Sequence, residues 1–240
     1  RLNDVDGASA DLSSIPVENI ARIEFLPGGG SVLYGDGASG GTINIITRSP
    51  VASSASIAVG SGSYGLRQVT GNAEVVSGNA GIRLFGQHLD SDGYRENSAS
   101  RMDEIGLDAQ TTRDRTTWYL KTNASQRDNR LPGPRKVNLL TGLDELHGDP
   151  QGTAEPNNYA EEDRYQLWGG WRAQFDEHLT LILDGSRRHK VQHSFFDDYS
   201  GFGSSIFTHS TIDTTGITPR ATVDYTTGAI KHGLQTGMDL

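Results

Sequence analysis

From Ser54 to the end of the chain, apolar and polar residues alternate in short runs with a period of two. Successive side chains of a strand point to opposite faces, so this period predicts β-strands with one apolar and one polar face. Nine segments carry it: 54–62, 66–76, 80–89, 102–111, 116–126, 164–175, 179–188, 216–226 and 232–240. In the fourth, Ile105, Leu107 and Ala109 oppose Glu104, Asp108 and Gln110; in the fifth, Trp118, Leu120, Thr122 and Ala124 oppose Tyr119, Lys121, Asn123 and Ser125. No segment approaches the run of about 20 apolar residues that a membrane-crossing helix needs. Alternation dilutes hydrophobicity, so a mean hydropathy of -0.50 is compatible with a membrane barrel.

A soluble sandwich shows the same alternation, with its apolar faces turned inward. Connection lengths separate the two readings, because outer-membrane barrels alternate short turns on one side with longer loops on the other. Here 77–79, 113–115 and 176–178 are short, whereas 90–101, 127–163 and 197–215 are long. The expected fold is therefore mainly all-β, a transmembrane antiparallel barrel. Nine strands do not close the even-numbered barrel of a single chain, so the sequence is expected to be a slice of a larger wall.

Residues 15–50 are organised differently. Pro16 suits the first turn of a helix, with Ser13 or Ser14 as its cap. Residues 22–26 (RIEFL) read as a strand ended by Pro27, and residues 42–48 (TINIITR) as a second, β-branched strand. Between them Gly28, Gly29 and Gly30 permit a tight reversal. A phosphate cradle would need a lysine or acidic partner at fixed spacing, and no lysine precedes Lys121.

The run IARIEFLPGGGSVLYGDGASGGTINIIT, residues 20–47, resembles the C-terminal signature of the plug domain of TonB-dependent outer-membrane receptors, whose pattern is I-E-R-I-E-V-L-R-G-P-x-S-x-L-Y-G-x-x-A-x-G-G-x-I-N-I-I-T. The match is gapless, and Glu24, Gly28, Gly30, Tyr34, Gly35, Gly40, Gly41 and Asn44 are taken as its structural positions. Pro27 replaces the family's arginine and Gly29-Gly30 its Pro-x step, so the plug-to-barrel ion pair of that arginine is not expected here. The resemblance implies residues 1–50 as the end of a small α+β plug and 51–240 as about the first nine barrel strands, with the TonB-docking segment outside the sequence. It further implies a Gram-negative outer membrane, contact with its lipids and lipopolysaccharide, and TonB-driven uptake of a scarce small molecule. Ferric siderophores lead by family frequency, with cobalamin, haem or a sugar as alternatives. No enzymatic chemistry and no cofactor are implied. A passive porin or adhesin would lack the plug.

Ligand contacts are expected from the long loops. Arg130 and Arg135, with Lys136 nearby, form a basic cluster suited to an anionic chelate, and Tyr199 and Phe202 lie in an aromatic-rich loop suited to a planar one. Phe195 and Phe196 read more readily as interface girdle than as ligand contacts. Asp90, Asp92 and Gly93 start like a calcium loop, but the remaining spaced acids are missing. His189 and His193 lie about 13 Å apart on a strand, too far to share a metal ion. No serine occupies a strand-to-helix elbow, and a net charge of -9 disfavours nucleic acid. Glu74, Glu104, Asp108 and Asp224 are expected to hydrate the channel wall.

Overall fold

The computed structural model describes residues 19–28, 40–197, 203–238 and 240. Two strands, β1 (Ile20–Pro27) and β2 (Gly41–Thr47), pair as an antiparallel N-terminal hairpin. The wall follows as β3 (Ser54–Ser61), β4 (Arg67–Ser77), β5 (Ala80–Ser91), β6 (Ser100–Arg113) and β7 (Thr116–Arg130). A long connection carries two short strands, β8 (Val137–Asn138) and β9 (Leu143–Asp144), and one helical turn, α1 (Glu145–Gly148). The wall resumes with β10 (Tyr159–Gln174), β11 (Leu179–Phe196), β12 (Ile206–Thr227) and β13 (Ile230–Gly237). Its nine strands form one antiparallel meander, each paired to the next wall strand in sequence, with β3 and β13 at the edges.

The polarity of this sheet is the reverse of a soluble protein's. Among the described residues the only buried hydrophobic side chains besides Pro50 are Phe85 and Ala173, whereas Arg83, Glu104, Asp108, Arg164, Lys190 and Ser194 are all buried. The apolar face is the exposed one: Ile57 is 75% accessible, Val75 65% and Ile105 58%. Leaving this much aliphatic surface in water would forfeit roughly 25 cal/mol for each Å². The arrangement suits a hydrocarbon environment outside and a wet, covered interior, and it excludes the sandwich, whose apolar faces would be buried between layers.

The short connections lie together at one end of the sheet. Gly78 and Gly228 take positive φ in two-residue turns, and Asp114 does so at a third. At the fourth, the Asp176 carboxylate accepts from the backbone N–H groups of His178 (2.7 Å) and Leu179 (2.8 Å), which hold it below the usual aspartate range. Trp118 and Trp171 face each other on the outer face near this end, with ring centroids 6.1 Å apart, as an interfacial girdle requires.

At the other end the strands run further than the hydrophobic alternation indicates. β7 reaches Arg130, β10 begins at Tyr159 and β12 at Ile206, so the loops expected over 127–163 and 197–215 shorten to 131–158 and 197–205. The cause is physical. Beyond the apolar band the outer residues become polar, as in Asp128, Glu161, His189 and Asp213, so both faces are wet while the ladder continues unbroken. Phe195 is a related correction. It sits on the outer face, roughly 33 Å along β11 from Gly185 at about 3.3 Å per residue, and so beyond the membrane girdle proposed for it.

Candidate functional site

The candidate site is the polar inner face of the wall, with the N-terminal hairpin on it and the loops at the long-connection end. Within the hairpin, Glu24 and Asn44 are register partners. The Asn44 side-chain amide donates to Glu24 (3.0 Å) and the Arg22 guanidinium donates to its other oxygen (2.7 Å). Those two bonds, the arginine first, hold the Glu24 carboxyl below the ordinary glutamate range. Gly28 takes a φ of 86° where the chain leaves β1. Gly41 takes 145°, and a Cβ there would lie 3.0 Å from the Leu26 carbonyl oxygen, whereas one at Gly40 would meet open space. Gly30, Tyr34 and Gly35 lie outside the described residues, as do Pro16 and the helical turn expected after it.

Among the described residues, three contacts seat the hairpin on the wall. The Arg83 guanidinium donates to the Asn19 side-chain oxygen, and the Lys121 ammonium donates to the Thr47 hydroxyl. Just past the hairpin, Pro50 is buried over Gly81, where any Cβ would fall 2.7 Å from its ring. The cations thus come from the wall and the neutral acceptors from the hairpin.

The inner face around these contacts is a network of compensated charges. Arg83 pairs with Glu74 at 3.3 Å and lies over the Phe85 ring, 5.5 Å from its centroid. Phe85 in turn covers Gly106, where a Cβ would clash with the ring. Glu104 accepts from Asn123 (2.7 Å) and Gln87 (2.8 Å). Glu162 pairs with Arg164 at 2.6 Å and stands 3.9 Å from Lys190. Nearer the short turns, the Tyr119 hydroxyl crosses Gly170 to Asp184, which also takes Arg220. Carboxylates were expected here; the interleaved cations that neutralise them were not, although Arg83 and Lys121 sit on the polar parity of their strands.

The loops are fastened by two residues for which no role was expected. The Arg95 guanidinium donates to the carbonyls of Gly133 (2.6 Å), Pro132 (3.2 Å) and Gly152 (2.9 Å). The Asn97 amide donates to those of Leu131, Glu155 and Asn158 at 3.2, 2.6 and 2.9 Å. Segment 92–99 therefore clamps both legs of the 131–158 loop. Arg95→Ala is expected to raise the rate of limited proteolysis within 131–158 by roughly ten- to a hundredfold, the equivalent of about 1.5–3 kcal/mol for a hydrogen-bonded charged group, with the wall strands still protected. An unchanged cleavage rate would show that the clamp does not hold the loop.

The two expected ligand contacts among the described residues, Arg130 and Arg135, do not converge. Arg135 is largely buried against α1 and its C-cap, donating to the Glu145 carbonyl (3.3 Å) and pairing with Asp149 (3.4 Å). Arg130 points outward with Trp118 and Leu120, paired with Asp128 at 3.0 Å and lying over the Tyr159 ring. Tyr199 and Phe202 lie outside the described residues.

Comparison with known proteins agrees with this architecture. Residues 1–42 match the TonB-dependent receptor plug domain family. The vitamin B12 transporter BtuB of Photobacterium profundum is 40% identical over 82 residues, 34% of this chain and 14% of BtuB. Among solved structures, the ferric citrate transporter FecA in its unliganded form superposes with a TM-score of 0.76 at 19% identity, over 93% of this chain and 34% of FecA. FpvA of P. aeruginosa, bound to a heterologous pyoverdine with iron, superposes with a TM-score of 0.79 at 13% identity, over 99% of this chain and 33% of FpvA. The chain thus spans about a third of the length of these structures, and over that span it has their fold. What the chain shares with TonB-dependent receptors is thus a plug-domain match over residues 1–42, continued by a barrel wall with the fold of FecA and FpvA and its polar face inward.

Proposed function

We propose that residues 1–50 are the end of the plug and 51–240 the first nine strands of a receptor that imports a scarce ligand across the outer membrane of a Gram-negative bacterium, driven by TonB. The observation that carries this reading is the wall's reversed polarity, with charged residues buried on the face that receives the hairpin. A passive pore needs no such stopper. Among the described residues the stopper is held by side-chain hydrogen bonds and a proline notch, contacts of the kind that a binding energy of a few kcal/mol can shift, the scale on which a ligand biases one conformation over another. The ligand enters from the loop end, where Arg95 and Asn97 fix the 131–158 loop. Arg135 serves there by bracing α1, and Tyr199 and Phe202 supply aromatic surface. No covalent step is needed, so the function is transport and not catalysis.

A ferric siderophore is the leading ligand. FecA and the iron-bound FpvA complex are its fold neighbours, and FecA is named for a ferric chelate. The match to BtuB keeps a cobalamin as the second reading, although 82 residues are a small basis for a ligand assignment. Deleting the gene under iron limitation is expected to abolish growth on one ferric siderophore and leave vitamin B12-dependent growth intact. Unchanged growth on every iron source tested would remove the siderophore reading, and loss of B12-dependent growth would replace it with the second. A strain lacking TonB should reproduce the deletion; normal growth there would refute the energised mechanism.

A further inference from the structure

We propose that His193 on β11 and His209 on β12 form a two-histidine site for a divalent transition-metal ion on the outer face of the wall, beyond the apolar band. The two are register partners in a ladder that runs unbroken from Leu179 opposite Val223 to Phe196 opposite Ile206. Their rings lie 4.4 Å apart between centroids, and the two Nδ1 atoms face each other at 3.1 Å. Two imidazole nitrogens bound to one ion at about 2.0–2.1 Å are separated by about 2.9 Å when they subtend a right angle and about 3.4 Å in a tetrahedron. The observed spacing falls within that interval, with the backbone already holding both rings in place.

These histidines also differ from two others on the same face. His88 is bound to Asp103 at 2.7 Å and His189 to Asp213 at 3.1 Å, whereas the polar partner of each of His193 and His209 is the other imidazole. Glu161, opposite His193 on its other side, is 3.6 Å from Arg130. No group of three or more His, Asp or Glu with metal-holding geometry occurs among the described residues, so the site is bidentate and water completes the coordination. Two imidazoles with open positions suit Cu(II), Ni(II) or Zn(II), and the general affinity order makes Cu(II) the tightest. The inference stands on strand register and is independent of the ligand imported.

The test titrates Cu(II) into the untagged full-length receptor in detergent and follows it by calorimetry and electron paramagnetic resonance. The expected result is one ion whose spectrum carries hyperfine coupling from two equatorial nitrogens. His193→Gln and His209→Gln should each weaken it by at least the roughly tenfold that loss of even a ligand's supporting partner costs. His88→Gln and His189→Gln should leave it unchanged. Both paired side chains are solvent-facing, so unaltered heat-modifiable gel mobility will show that the variants fold. Binding that persists in both single variants, or a spectrum without the two-nitrogen signature, would reduce the pair to a hydrogen bond between imidazoles and overturn the proposal.

Discussion

Replacing Leu107 with arginine is expected to destabilise the folded wall by about 2–4 kcal/mol, the cost of a cation on the lipid face near the bilayer midplane. Leu107 lies on the outer face of β6, between Leu84 of β5 and Thr122 of β7 in register, and near the middle of its strand's apolar stretch. The same substitution at Thr111, on the same face but close to the short turn, should cost about 0–1 kcal/mol, because the side chain there reaches the interface. Denaturant titration of the full-length receptor in lipid vesicles, followed by tryptophan fluorescence, measures both. Equal costs at the two positions would contradict the assignment of this face to lipid.

Removing the Arg83 guanidinium is expected to be costly for a different reason. Arg83 is 1% exposed, pairs with Glu74, and is one of two wall cations that hold the hairpin. Arg83→Ala leaves the largely buried Glu74 carboxylate without its cation, a change that typically costs about 3–5 kcal/mol. It also frees Asn19 and removes the cation over Phe85. The loss should appear twice, as lower stability of the folded receptor and as faster hydrogen exchange in residues 19–28. Restoring neutrality with Arg83→Met and Glu74→Gln together should recover much of the stability but not the exchange protection, because the bond to Asn19 is still missing. If the double variant regains both, Arg83 serves the wall alone.

Much of this architecture was legible in the alternation, because a strand with lipid on one side and water on the other must segregate its residues by parity. The nine wall strands follow from that rule, whereas the hairpin strands follow from the short alternation of 22–26 and the β-branched run of 42–48. Strand length was not legible, because β11 past Gly185 carries Arg187, Arg188 and His189 in succession and no longer distinguishes its faces. Arg130 was assigned to the loop for the same reason. Parity with Trp118 and Leu120, extended four residues beyond 126, already places it outward.

Other features depend on partners distant in sequence. Arg95 and Asn97 bind backbone carbonyls 34–61 residues away, and a carbonyl leaves no mark on the sequence. The His193–His209 pair required the β11–β12 register; reasoning along β11 alone compared His189 with His193, which do not meet. Pro27 was informative in a negative way. No arginine stands at that position, and the cations that hold the described hairpin come from the wall, at Arg83 and Lys121.

The central claim is that the apolar face of this wall meets lipid and the polar face meets an aqueous interior. Residues 1–240 contain no cysteine, so single cysteines can be placed within this span without removing any. The direct measurement labels positions 104, 105, 107, 108, 109 and 110 in turn with a fluorophore, in the full-length receptor in vesicles, and compares quenching by brominated lipid with quenching by iodide. Lipid quenching is expected at 105, 107 and 109 and none at 104, 108 and 110. Protection of 105, 107 and 109 from both quenchers would mean that the apolar face is buried against a second layer, and would contradict that claim.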